Sequence, residues 1–167
     1  LHRLDHAASA HVEVETGIAE HPGAKTRAFL ERSFPIRPAQ QFAADHRDRH
    51  VVMVASTGSG KTEASLLWAD GDKAFITLPL RVSLNAMYDR LKKPKQIGLK
   101  NLGLLHSGSF DYLLEKDALD AEESYRISRQ LSHKVTLSTI DQILKFPFLY
   151  RGFEKELATM AYSRLVI

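Results

Sequence analysis

The sequence predicts an α/β fold, a three-layer α/β/α domain on a mostly parallel sheet. Two observations predict it. Ala55-Ser56-Thr57-Gly58-Ser59-Gly60-Lys61-Thr62 follows the apolar run Val51 to Ala55, so a strand runs into a Gly-rich turn that opens a helix. Four more short, almost purely apolar runs follow: Ala74 to Leu78, Leu102 to Leu105, Val135 to Thr139 and Leu165 to Ile167. Strands of that composition belong to a parallel sheet covered on both faces.

Helical patterns separate the strands, as βαβ units require. Thr62 to Ala69 is stopped by Asp70-Gly71-Asp72. In Val82 to Leu91, residues Leu84, Met87, Tyr88 and Leu91 repeat on one face, and Pro94 ends the pattern. Ala121 to Leu131 places Ile127 and Leu131 inward. In Phe153 to Ala161 the shared face is Phe153, Leu157, Met160 and Ala161. Leu1 to Phe34 is His-rich and weakly periodic, and reads as a helix plus linker outside the sheet, with a loop at His21-Pro22-Gly23. Trp68 and Phe75 read as core. Lys92, Lys93 and Lys95 read as a solvated helix end.

The chain of 167 residues is one domain in length and can bury a real core. There are no cysteines, which excludes disulfides, zinc fingers and a thiol nucleophile and allows a cytoplasmic location. No signal peptide and no apolar run of membrane-spanning length is visible, so a membrane partner is not expected. A net charge of +3 permits nucleic-acid binding without demanding it. The start at Leu1 and the cut-off run at Ile167 suggest a piece of a longer chain.

The Gly-rich turn carries the chemistry. Gly58 and Gly60 let Ser56, Thr57, Gly58, Ser59 and Gly60 curl so that successive N–H groups converge on one anion. The helix beginning near Lys61 adds its positive end, and Glu63 lies in its first turn. Lys61 would place its ammonium between the β- and γ-phosphates of ATP, and the Thr62 hydroxyl would hold Mg²⁺. Ala55 stands where the strict pattern asks for Gly, a form found in superfamily 2 helicases.

Each strand end carries polar residues, where open α/β sheets place ligands. These are Leu78 to Tyr88, His106 to Ser109, and Ser138 to Leu144; Phe34 to Gln41 precedes the first strand. In this order they resemble the first motor domain of a superfamily 2 helicase, a RecA-like fold. The stretches Gly58 to Ala64, Leu78 to Tyr88 and Ser138 to Leu144 narrow the resemblance to the CRISPR-associated helicase–nuclease of type I interference systems, over Phe34 to Ile167.

The resemblance implies several roles. Gln40, rather than Gln41, would read adenine. Arg81 and Asn85 would hold a nucleic-acid backbone, with His106, Ser107 and Gly108, and with Thr139 and Asp141. The alternatives are that Arg81 is a surface arginine and that His106 caps a strand. Residues 1–33 would be the tail of a preceding nuclease-like domain and its linker, and 34–167 the N-terminal part of the first motor domain. Leu1 to Ala10 would match the closing helix of that nuclease, with Asp5 at a divalent-metal ligand position. His2, Asp5 and His6 share a helical face by spacing, yet equally fit a solvated surface helix.

The next family residues would be Asp-Glu-x-His, so the fragment should be nearly inert. Its phosphate-loop strand, paired with Leu165 to Ile167, would be a bare sheet edge. The implied activity is ATP-driven translocation on single-stranded DNA, coupled to DNA degradation. Its implied partner is a CRISPR RNA-guided surveillance complex. Another superfamily 2 translocase, a non-hydrolysing nucleotide-dependent binding module and, more weakly, a P-loop kinase remain alternatives.

Overall fold

A computed structural model describes residues 2–144, 148 and 153–167; Leu1 lies outside the described residues. In chain order the helices before the sheet are α1 (His2–Ser9), α2 (Pro22–Ser33), α3 (Pro38–Asp45) and α4 (Lys61–Trp68). Then come β1 (Lys73–Thr77), α5 (Arg81–Lys92), β2 (Leu102–Leu105), α6 (Ser109–Lys116) and α7 (Ala121–Arg129). The chain continues through β3 (Val135–Ser138), α8 (Ile140–Ile143), α9 (Phe153–Met160) and β4 (Ser163–Val166). Among the described residues the strands form one parallel sheet in the order β2-β3-β1-β4.

Strand alternation splits the core in two. Ile76, Leu102, Leu104, Val135 and Leu137 face a cluster completed by Leu66, Leu84, Tyr88 and Leu91. Phe75, Leu105 and Leu165 face the opposite way, against Leu131, Ile143 and Met160. Apolar side chains on both sheet faces are what make the fold three-layered. This is a RecA-like α/β domain. Leu84, Tyr88 and Leu91 are buried as the helical period of α5 requires.

The structure corrects several expectations. Val51 to Ala55 forms no strand. β4 pairs with β1 instead, Phe75 opposite Leu165, and is itself a sheet edge. The run keeps a strand-like alternation: Val51 and Met53 line a cavity beside β4, whereas Val52 and Val54 are 92% and 97% exposed. Among the described residues that second face stays in solvent, so apolar burial adds nothing to completing a ladder there.

His21-Pro22-Gly23 is no loop. Pro22 opens α2, where its missing N–H costs nothing, and Gly23 N–H donates to Asp70 Oδ1 at 2.9 Å. Thr26 and Leu30 of α2 are buried, and the helix packs on α4. Trp68 is half-exposed: its indole N–H donates to Arg49 O at 3.1 Å, and the Arg164 guanidinium lies 4.6 Å from its ring. In α9 the inward side carries Glu156, Thr159 and Met160, while Leu157 and Ala161 point to solvent, because the helix docks on α1 and β4 by that side. Helix α6 was not expected from the sequence.

The segment before α2 is tied beneath the amino ends of the strands. Glu15 pairs with Lys73 at the start of β1 and with Arg3. Thr16 N–H donates to Ser132 O at 3.1 Å, and Asn101 Nδ2 donates to Ile18 O at 2.9 Å. Glu20 is buried and accepts from the backbone N–H groups of Lys100 and Asn101 at 2.9 and 2.8 Å, and from Lys25 at 2.6 Å. Those bonds hold its carboxyl below the usual range, against the opposing pull of burial.

Candidate nucleotide and nucleic-acid site

The Gly-rich loop is held by two glycines in left-handed backbone. Gly58 has φ 77° and Gly60 φ 86°, conformations that side-chain-bearing residues rarely adopt. Gly60 is also the N-cap of α4, so the turn delivers Lys61 and Thr62 straight into the helix's first turn. Lys61 bends back over the loop, donating to Ala55 O at 2.8 Å and Ser56 O at 3.0 Å. The Ser59 hydroxyl is buried without a hydrogen-bond partner.

Lys61, Thr62, Thr77, Leu78, Val166 and Ile167 line one cavity of about 330 Å³. The carboxyl ends of β1 and β4 therefore open onto the phosphate loop, as in open α/β sheets generally. A loop of N–H groups, an ammonium, a threonine hydroxyl and a helix N-terminus form a donor set that fits a polyphosphate with Mg²⁺.

Two residues assigned to the nucleotide are engaged by the protein's own groups. Gln40 is 3% exposed, and both ends of its amide are engaged on the backbone: Arg37 N–H donates to Oε1 at 3.0 Å, and Nε2 donates to Gly60 O at 3.3 Å. In this conformation it braces α3 against the loop instead of presenting a free amide to adenine. Gln41 donates to Asp45 Oδ1 at 2.7 Å. Glu63 is buried and accepts from Arg90 at 2.8 Å.

Arg37 and Arg90 escaped the sequence reading. Arg37 Nη1 donates to Gly58 O at 2.9 Å, a second clamp from α3's N-cap onto the loop. Gln40, three residues on, makes half of a capping box by accepting from the Arg37 N–H, and the Arg37 side chain, which has only donors, reaches the loop instead. Nothing in the sequence spacing marks Arg90.

The other expected residues gather at the same end of the sheet, past the carboxyl ends of β1, β2 and β3. Arg81 begins α5, is exposed, and donates to Ser107 Oγ at 3.1 Å. Asn85, one turn on, meets His106 Nε2 at 2.8 Å. Gly108 N–H donates to His106 Nδ1 at 3.1 Å. His106 is buried, so it is not a surface contact as expected, and burial together with Arg81 holds its pKa below the ordinary 6.5.

Thr139 caps α8 and its N–H donates to Leu105 O at 3.3 Å, which ties the loop after β3 to the end of β2. Asp141 accepts from Gln142 Nε2 at 2.7 Å. Asp5 and His6 of α1 are exposed, and among the described residues no group of three or more His, Asp or Glu is arranged to hold a metal ion.

Fold and loop together define a P-loop nucleotide-binding domain of the RecA-like motor class. The chain belongs to the DEAD/DEAH box helicase family, whose model matches residues 37–158. It is similar to the CRISPR-associated nuclease/helicase Cas3 of Methanothermobacter thermautotrophicus, 33% identical over 126 residues, 71% of this chain and 15% of that protein. It is also similar to a Methanocaldococcus jannaschii protein whose name assigns it provisionally to the same Cas3 nuclease/helicase group. That match is 30% identical over 142 residues, 77% of this chain and 19% of that protein. The chain thus spans less than a fifth of either relative's length. No solved structure matches. Among the described residues, no helix is long and apolar enough to cross a membrane.

Proposed function

We propose that this chain is the ATP- and DNA-binding part of a CRISPR-associated helicase: residues 34–167 begin its first motor domain, and residues 1–33 close a preceding nuclease-like domain and join it to the motor. The full protein would translocate on single-stranded DNA, driven by ATP and coupled to DNA degradation beside an RNA-guided surveillance complex in the cytoplasm. One observation carries this reading. The phosphate loop and the Arg81, Ser107 and Thr139 cluster lie past the carboxyl ends of adjacent strands of one sheet. A nucleotide at Lys61 and a strand at Arg81 would thus share α4, α5 and the β1 end as common walls.

Mg-ATP supplies the scissile phosphate bond when bound. Here Lys61 would leave the loop carbonyls to meet phosphate oxygens, Thr62 would offer its hydroxyl to Mg²⁺, and Gly58 to Gly60 would offer N–H groups. Arg81 and the Ser107 and Thr139 hydroxyls would hold the sugar-phosphate track without reading bases. The Asp5 position would serve a divalent metal only together with ligands from the preceding domain.

Fluorescence anisotropy with a labelled oligo(dT) and a fluorescent ATP analogue tests this reading. The chain should bind both, with turnover far below the roughly 1 s⁻¹ of an ordinary enzyme. Lys61→Ala should remove nucleotide binding. Arg81→Ala should weaken DNA binding equally for all sequences and lower the salt slope by about one. An unchanged slope, or a loss confined to certain sequences, would overturn the backbone contact.

A further inference from the structure

His106 closes the end of β2, and its ring makes two hydrogen bonds of opposite sense. The backbone N–H of Gly108 points at Nδ1, 3.1 Å away. A backbone amide only donates, so Nδ1 holds a lone pair. In the neutral ring the proton then sits on Nε2, which donates to Asn85 Oδ1 at 2.8 Å. The His106 carbonyl accepts from both the N–H and the hydroxyl of Ser109, at 3.1 and 2.9 Å. Loop 106–109 is thereby wound around its own first residue and fastened to α5.

We infer that His106 is a positioning residue for the nucleic-acid track: a neutral, Nε2-protonated imidazole that locks the loop after β2 onto α5, and not a cationic contact to phosphate. This rests on the DNA-track reading above. The lock determines what the surface presents. With His106 buried and the Gly108 N–H spent on it, the exposed Ser107 hydroxyl is left beside Arg81 Nη1, 3.1 Å away. A guanidinium and a hydroxyl held in register suit consecutive phosphate oxygens.

Protonation would oppose this arrangement. An imidazolium would set Nδ1–H against the Gly108 N–H, two donors facing each other. Arg81 is the charged group bearing on the ring, and it too disfavours a second positive charge. The other neighbours, Asn85, Ser107 and Ser109, are neutral. Tyr112, whose hydroxyl donates to Asn85 O at 3.4 Å, has a raised pKa and stays protonated.

Two measurements test the inference independently of each other. Nitrogen-15 NMR of the histidine-labelled chain without DNA should show His106 as the Nε2–H tautomer at neutral pH. An Nδ1–H tautomer or an imidazolium overturns the lock whether or not the chain binds DNA. Oligo(dT) anisotropy then tests the role. His106→Ala should weaken binding about tenfold with an unchanged salt slope, as loss of hydrogen-bonded positioning requires. His106→Asn, whose Oδ1 can take the Gly108 N–H, should recover to within about threefold. Wild-type binding should fall relative to His106→Asn as the pH drops below 6.5. Acid-strengthened binding, a slope lowered by about one in the variants, or no rescue by Asn would overturn the role. If His106→Ala does not fold, His106→Asn and the pH series carry the same decision. A wild-type chain that binds no oligonucleotide overturns the track reading and the role with it, while the NMR result still judges the lock.

Discussion

Arg90 Nη1 lies 2.8 Å from Glu63 Oε1, joining the helix that carries Lys61 and Thr62 to the helix that carries Arg81 and Asn85. Glu63 is buried, while Arg90 is partly exposed. Removing Arg90 leaves a carboxylate in a poorly solvated place, which costs more than the pair itself contributes. Arg90→Ala should destabilise by about 1–2 kcal/mol after allowance for the exposed guanidinium. Adding Glu63→Gln should recover much of that loss, because a neutral amide is cheaper to bury. Urea unfolding of the single and double variants measures this; an additive loss in the double variant would contradict the pairing.

The two loop glycines should differ. A Cβ at Gly60 would fall on Gln40 Nε2, whereas a Cβ at Gly58 meets nothing within 4 Å. Gly58→Ala therefore costs only left-handed strain, about 1 kcal/mol. Gly60→Ala adds displacement of the Gln40 brace and should cost about 2–3 kcal/mol, with a larger loss of nucleotide affinity. Denaturation midpoints and nucleotide titration of both variants check the order.

Acid should weaken the fold through His133. Burial pushes its pKa down to about 4, with Lys73 and Lys92 acting in the same direction, against the opposing pull of the nearby Ser124 backbone. The unfolded chain takes up this proton near 6.5 and the folded chain only near 4, so stability falls as the pH drops between those values, by about 3 kcal/mol in all. His133→Asn can still donate toward Asn101 Oδ1, which the wild-type ring meets at 3.2 Å, and should flatten that acid limb. Unfolding free energy measured from pH 7 to 4 in both proteins decides it.

Lys73 gives a second pH window. Burial lowers its pKa to about 8, opposed by Glu15. Between that value and 10.5 the unfolded chain binds more protons, so stability should rise with pH there, by up to about 3 kcal/mol. Lys73→Met should abolish the rise; a parallel rise in both proteins would assign it elsewhere.

Self-association should trace to the exposed apolar run and the open edge of β4. Val52 and Val54 are almost wholly exposed, and no strand pairs with the outer side of β4 among the described residues. An unblunted apolar segment beside a free edge promotes pairing between chains. Light scattering behind size exclusion should show concentration-dependent association that Val52→Lys reduces.

The local signals were legible in the sequence because they are short-range chemistry. Two glycines before Lys61-Thr62 require one backbone path, and the short apolar runs at residues 74–78, 102–105 and 135–139 have the composition of strands covered on both faces, which they form as β1, β2 and β3. The α5 period likewise needs nothing but the 3.6-residue turn. Tertiary structure decided what depends on partners distant in sequence. It left Val51 to Ala55 unpaired and put β4 beside β1, since apolar composition alone does not choose a neighbour. It set Gln40 on the Gly60 carbonyl and Glu63 on the Arg90 guanidinium, because a buried amide or carboxylate goes where a partner repays its desolvation. It also gave His106 its tautomer, which is set by the Gly108 N–H on one side and Asn85, 21 residues away, on the other. A residue's type names the bonds it can make; only the fold supplies the atoms at bonding distance.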